Sequence, residues 1–106
     1  MNSQFEKLHE VIRDRITSEG AQYYADPWWE KEIDSFTEDI SISISFINTD
    51  CTDEELYWLS EVFEEIVEKT RSVDFLDAVS KRAELVVNQD YKSDIIAEIN
   101  NAKRFL

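Results

Sequence analysis

The 106-residue chain contains one glycine (Gly20), one proline (Pro27), one cysteine (Cys51) and one histidine (His9). All-β folds spend glycine and proline on their many turns, so a single copy of each favours helices. A lone cysteine excludes an intramolecular disulfide framework and fits a reducing compartment. No apolar run approaches the length of a membrane span. Met1 to Ser18 is interleaved with charge and lacks the apolar stretch of a signal peptide, so a cytoplasmic location is expected.

Catalytic signatures are equally scarce. There is no glycine-rich phosphate loop and no Gly-x-Ser-x-Gly elbow. Glu6-Lys-Leu-His9 has the form of a di-iron Glu-x-x-His pair, but such sites need two pairs and the chain has no second histidine. Cys51 as a nucleophile would depend on His9 as its base, so Cys51 reads as a small apolar filler and His9 as a partly exposed helix residue. Asp50, Asp53, Glu54 and Glu55 lack the glycine and alternating ligands of a calcium loop. The expectation is a protein that is no enzyme and takes no cofactor or metal.

What is present is apolar material and acid. Hydrophobic residues make up 42% of the chain and charged ones 33%, enough for a core in one domain over residues 1–106 and too apolar for wholesale disorder. The net charge of −13 is unevenly placed. Residues 23–70 carry fourteen acids against Lys31 and Lys69, giving −12, whereas residues 71–106 carry six of each sign. The acidic stretch also holds all three tryptophans and three of the four tyrosines.

Periodicity places the helices. Ser3 and Glu6 form a capping box, and Phe5, Leu8, Ile12 and Ile16 recur at helical spacing over about residues 4–19, with Gly20 as the stop. Asp26 before Pro27 caps a helix that begins near Trp28. Residues 40–47 are ambiguous: isoleucine alternates with serine as in a strand, yet Ile33, Phe36, Ile40, Ile44 and Ile47 share a helical face. No second alternating run offers a partner, which favours helix. Thr52 and Glu55 make a second capping box, followed by a buried stripe of Leu56, Leu59, Phe63, Ile66 and Val67. Ser72 caps a helix burying Phe75, Leu76, Val79, Ala83 and Val86. Asp90 starts the last helix, with Ile95, Ile96, Ile99 and Ala102 inside. The fold class is all-α, a compact bundle or stack of four to five short helices.

Tyr23, Tyr24, Trp28 and Trp29 put four large aromatics into seven residues, among Asp26, Glu30, Glu32 and Asp34 and followed by Glu38 and Asp39. Trp28 and Trp29 point about 100° apart on a helix, so a small core leaves one of them near the surface. Tryptophan and tyrosine are enriched at interface hot spots, and surrounding acids steer a basic partner. These ten residues are the candidate contact set. A charge of −13 repels nucleic acid and anionic membrane alike, so the complementary partner is a basic protein surface such as a nuclease presents. Two rival readings are an acidic nucleic-acid mimic that inhibits DNA-binding proteins, and a structural adaptor or oligomerisation module paired through residues 40–47.

The run Thr49-Asp-Cys-Thr-Asp-Glu-Glu-Leu-Tyr-Trp-Leu-Ser-Glu-Val-Phe-Glu-Glu-Ile-Val-Glu-Lys-Thr70 resembles a segment of small bacterial immunity proteins. These accompany polymorphic toxins, including those of contact-dependent growth inhibition systems. Ser72 to Arg82 continues the likeness, which covers about a third of the chain. The resemblance implies a cytoplasmic protein that binds one toxin domain, often a nuclease, and neutralises it; the leading expectation is a monomer that occludes the toxin's active site in a 1:1 complex. It transfers no binding residue.

Overall fold

A computed structural model describes residues 3–18 and 28–106. Tyr23, Tyr24 and Asp26 of the candidate contact set, with the expected cap at Asp26 and the stop at Gly20, lie outside the described residues. Among the described residues there are seven α-helices and no strand. They are α1 (Ser3–Ser18), α2 (Trp28–Thr37), α3 (Ile40–Thr49), α4 (Asp53–Leu59), α5 (Phe63–Thr70), α6 (Val73–Glu84) and α7 (Gln89–Ala102). The Cα radius of gyration is 12.9 Å, the value of about 13 Å expected for a compact body of 100 residues. No helix among the described residues is long and apolar enough to cross a membrane.

The all-α reading holds, and the helix count exceeds the expected four to five because two expected continuous stretches are divided. After α2 the chain breaks at Glu38 and Asp39. Asp39 then caps α3, its side chain accepting from the Ser41 amide. The Ser43 hydroxyl, buried, donates to the Phe36 carbonyl at 2.7 Å and seals the corner. The stripe after Thr52 is divided by a 3-10 turn, Ser60–Val62, where the Ser60 hydroxyl bonds the Tyr57 carbonyl at 2.6 Å. Residues 40–47 are helical. Phe46, Ile47 and Ser43 face the core, while Ile40, Ile42 and Ile44 are each half-buried. Flanked by α1, α2 and α6, α3 is apolar on several sides, which is how a helix comes to mimic a strand's alternation. The strand pairing that the oligomerisation reading required is therefore gone.

The capping box at Thr52 forms as expected, with Thr52 and Glu55 exchanging side-chain and backbone bonds. Ser72 accepts from the Phe75 amide. The cap of α7 is Asn88, two residues before the expected start at Asp90, and it accepts from the amides of Asp90 and Tyr91. With glycine absent from this half, α5 ends on Arg71 in the left-handed conformation (φ 54°), at a cost of about 1–2 kcal/mol for a residue with a Cβ. Its guanidinium offsets this by bonding the Phe105 carbonyl at 2.7 Å, which ties down the C-terminus.

One core runs through all seven helices. Leu56, Leu59, Phe63, Ile66 and Val67 are all fully buried, and Phe36, Phe46 and Phe75 join them. Ile96, expected inside, is 42% exposed; its neighbours Ile95 and Ile99 already fill the narrow stripe that α7 turns inward.

Candidate functional site

The two tryptophans that open α2 occupy different environments, as their angular separation requires. Trp29 is 44% exposed. Trp28 is half-buried and meets it edge-on, with ring centroids 5.6 Å apart at 86°. What holds Trp28 is Arg15, one turn from the end of α1, whose guanidinium lies 3.8 Å from the Trp28 ring centroid and 5.0 Å from that of Trp58 on α4. The same guanidinium is forked onto Glu61, Nε to Oε2 at 2.9 Å and Nη2 to Oε1 at 2.6 Å. Arg15 is only 6% exposed. Planar stacking and bidentate pairing are available to arginine and not to lysine.

Glu32 lies one turn along α2 from Trp28 and is completely buried. Neither of its carboxyl oxygens has a hydrogen-bond partner among the described residues. Burial, reinforced by the Glu61 charge and opposed by Arg15, pushes its pKa up to about 8. At neutral pH it is a neutral acid. This corrects its place in the contact set, because a side chain on the core face of α2 cannot meet a partner. Its register signals the burial: Glu32 precedes Phe36 by four residues, and Phe36 is core.

The remaining acids of the expected set are on the surface, spread along α2 and its end. Glu30 is exposed beside Trp29. Asp34 pairs with Lys69 at 3.1 Å and Glu38 with Lys7 at 2.8 Å. Asp39 is held below the usual carboxylate range by the Ser41 side chain that it accepts from. A ten-residue helix is about 15 Å long, so Glu38 and Asp39 sit at the far end of α2 from Trp29. The aromatic cluster instead gathers Trp28, Trp29, Arg15, Trp58 and Glu61. The last three were invisible to a local reading, since Arg15 and Glu61 are 46 residues apart.

A second polar cluster surrounds His9. One ring nitrogen meets Glu55, and the other meets Asp50 at 2.5 Å, with the Phe46 ring edge-on at 4.8 Å. Partial desolvation works against the imidazolium, but the two carboxylates outweigh it and hold His9 above its usual pKa. His9 is thus a clamp joining α1 to both ends of the α3–α4 connection. The carboxylates sit on opposite ring nitrogens, an ion-pair arrangement; among the described residues no group of three His, Cys, Asp or Glu side chains is placed to hold a metal ion. Beside it, between α1 and α4, runs an open groove of about 900 Å³ with Glu6, Glu10, Asp14 and Glu54 on its walls. Cys51 is buried and its thiol is pushed up to about 12 by that burial, which makes it a filler and a poor nucleophile.

Basic residues from the flanking segments reach into the acidic stretch: Arg82 to Asp53 at 2.6 Å and Arg104 to Glu64 at 3.1 Å, besides Lys7, His9 and Arg15. Glu30, Glu54, Glu65 and Glu68 have no ion pair among the described residues. The architecture is that of an all-α bundle. Comparison with protein-family models, with curated proteins and with solved structures finds no match.

Proposed function

We propose that the protein is a bacterial immunity protein that binds a basic toxin domain, with a nuclease as the expected type, and neutralises it in a 1:1 cytoplasmic complex by covering its active site. The observation that carries the reading is the exposed Trp29, braced by Trp28 and Arg15 on a chain of charge −13. A rigid aromatic anchor loses little entropy on docking, and anchors of this type dominate binding energy at interfaces. The unpaired carboxylates around the molecule supply the long-range attraction that orients a basic partner before contact. The likeness of residues 49–82 to immunity-protein scaffolds points the same way.

The test is growth rescue. Co-expression with the C-terminal toxin domain of a large secreted protein encoded beside it should restore growth, and unrelated toxin domains should remain lethal. Trp29→Ala should weaken protection while leaving the melting temperature within a few degrees, because the side chain is nearly half exposed. Failure to rescue would refute the reading; inhibition of several unrelated DNA-binding proteins would replace it with nucleic-acid mimicry.

A further inference from the structure

A notch of about 190 Å³ lies where α4 and the 3-10 turn meet α7, walled by Tyr57, Trp58, Ser60, Glu61, Asp94 and Glu98. It is several times the roughly 30 Å³ share of a water molecule and below the roughly 300 Å³ at which pockets for whole small molecules begin. It therefore fits a head group. Its walls are two aromatic rings and three carboxylates; Glu61 is already forked onto Arg15, and Asp94 and Glu98 are the two open to a newcomer. Resting on the reading of a basic protein partner, we propose that this notch receives an arginine side chain of that partner.

Three observations argue for a guanidinium. First, the same Trp58 and Glu61 already hold one: Arg15 lies 5.0 Å from the Trp58 ring centroid and is forked onto Glu61. Second, the aromatic wall is fixed in advance, because Tyr57 is stacked on Tyr91 at 4.2 Å and 17° and meets Trp58 edge-on. A pre-set ring face binds a cation without an ordering cost. Third, Asp94 and Glu98 are like charges four residues apart on one helix face, an arrangement that destabilises an isolated helix. One Glu98 oxygen accepts from Asn101, and Asp94 has no ion pair among the described residues. A cation that reaches both carboxylates relieves repulsion of this kind. Arginine is favoured over lysine because its plane stacks and its fork spans two carboxylates.

The site extends the contact surface beyond the acidic first half into α7, which belongs to the electrically neutral end of the sequence. It joins the Trp29 cluster through Trp58 and Glu61, so one partner surface spans both.

Titration of the 15N-labelled chain with N-acetylarginine amide at low salt tests the assignment. The Trp58 indole N–H and the amides of Ser60, Asp94 and Glu98 should shift saturably in the millimolar range, and more strongly than with N-acetyllysine amide. Asp94→Asn combined with Glu98→Gln should weaken this binding about five- to tenfold while leaving the free chain as stable or slightly more so. A surface control, Glu65→Gln with Glu68→Gln, should bind the probe as the parent does. Shifts spread evenly over all acidic surfaces, or equal losses in both double variants, would overturn the proposal. Growth rescue separates this inference from the functional reading. Rescue undiminished by the Asp94/Glu98 variant overturns the notch alone, and a notch that binds the probe in a chain that rescues nothing overturns the immunity reading alone.

Discussion

At pH 8, Glu32→Gln should melt about 10 °C above the parent chain, and at pH 5 the two should melt within a few degrees of each other. Glu32 is fully buried with no partner for either oxygen among the described residues, and its pKa is raised from 4.5 to about 8. Below about pH 4.5 both folded and unfolded chains hold the proton, and the residue has no pH-linked effect. Between 4.5 and 8 the unfolded chain has released it while the folded chain retains it, so stability falls with rising pH. At about 1.4 kcal/mol per pH unit the ceiling is roughly 5 kcal/mol, and realising less than half of it gives about 2 kcal/mol, or about 10 °C for a domain of this size. A buried glutamine is neutral throughout and escapes this loss. His9 titrates in the same direction: its raised pKa contributes stability below about 6.5 that is lost as pH rises through the folded value. That contribution is common to both chains and cancels in their difference. Melting curves of parent and variant that run parallel from pH 5 to 9 would contradict the assignment.

Arg15→Ala should cost about 3 kcal/mol or more in urea denaturation. The substitution strands Glu61, uncovers the faces of Trp28 and Trp58, and removes the charge that opposes the rise in the Glu32 pKa. Glu61 keeps about a third of its side chain in solvent, which places the loss at the lower end of the range for broken buried pairs. Arg15→Lys should recover only a minority of the loss, because an ammonium neither forks onto a carboxylate nor stacks as a plane. Full recovery by lysine would show that charge alone matters and that the stacked geometry is incidental.

Much of the fold was legible because it is periodic. The stripe from Leu56 to Val67 is fully buried throughout, and the caps at Thr52 and Ser72 are where side chains that outcompete water for free amides should be. The breaks were not legible. Glu38 and Asp39 interrupt what reads as one apolar face, and the interruption is fixed by Ser43 reaching back seven residues to the Phe36 carbonyl. Ile96 fits the helical stripe yet lies outside, since only tertiary packing decides how wide a stripe the neighbours cover.

The candidate site divided along the same line. That one of Trp28 and Trp29 must reach solvent followed from helix geometry, and Trp29 does. Of the described acids grouped with them, Glu30, Asp34, Glu38 and Asp39 lie on the surface, and Glu32 alone does not. Register sends Glu32 into the core, while Glu38 and Asp39 stand about 15 Å along α2 from the tryptophans. Arg15, Trp58, Glu61 and the His9 clamp arise from contacts 41 to 46 residues apart, which no local pattern encodes.

On the proposed function, this chain captures a basic protein domain by charge-steered docking on a tryptophan-anchored surface. The decisive measurement is stopped-flow association, against NaCl concentration, with the toxin domain that passes the growth-rescue test. Association should be near 10⁸ M⁻¹s⁻¹ at low salt and fall at least tenfold by about 0.5 M, with Trp29→Ala raising the dissociation rate and leaving the salt slope unchanged. Absence of a complex, or an association rate indifferent to salt, would contradict it.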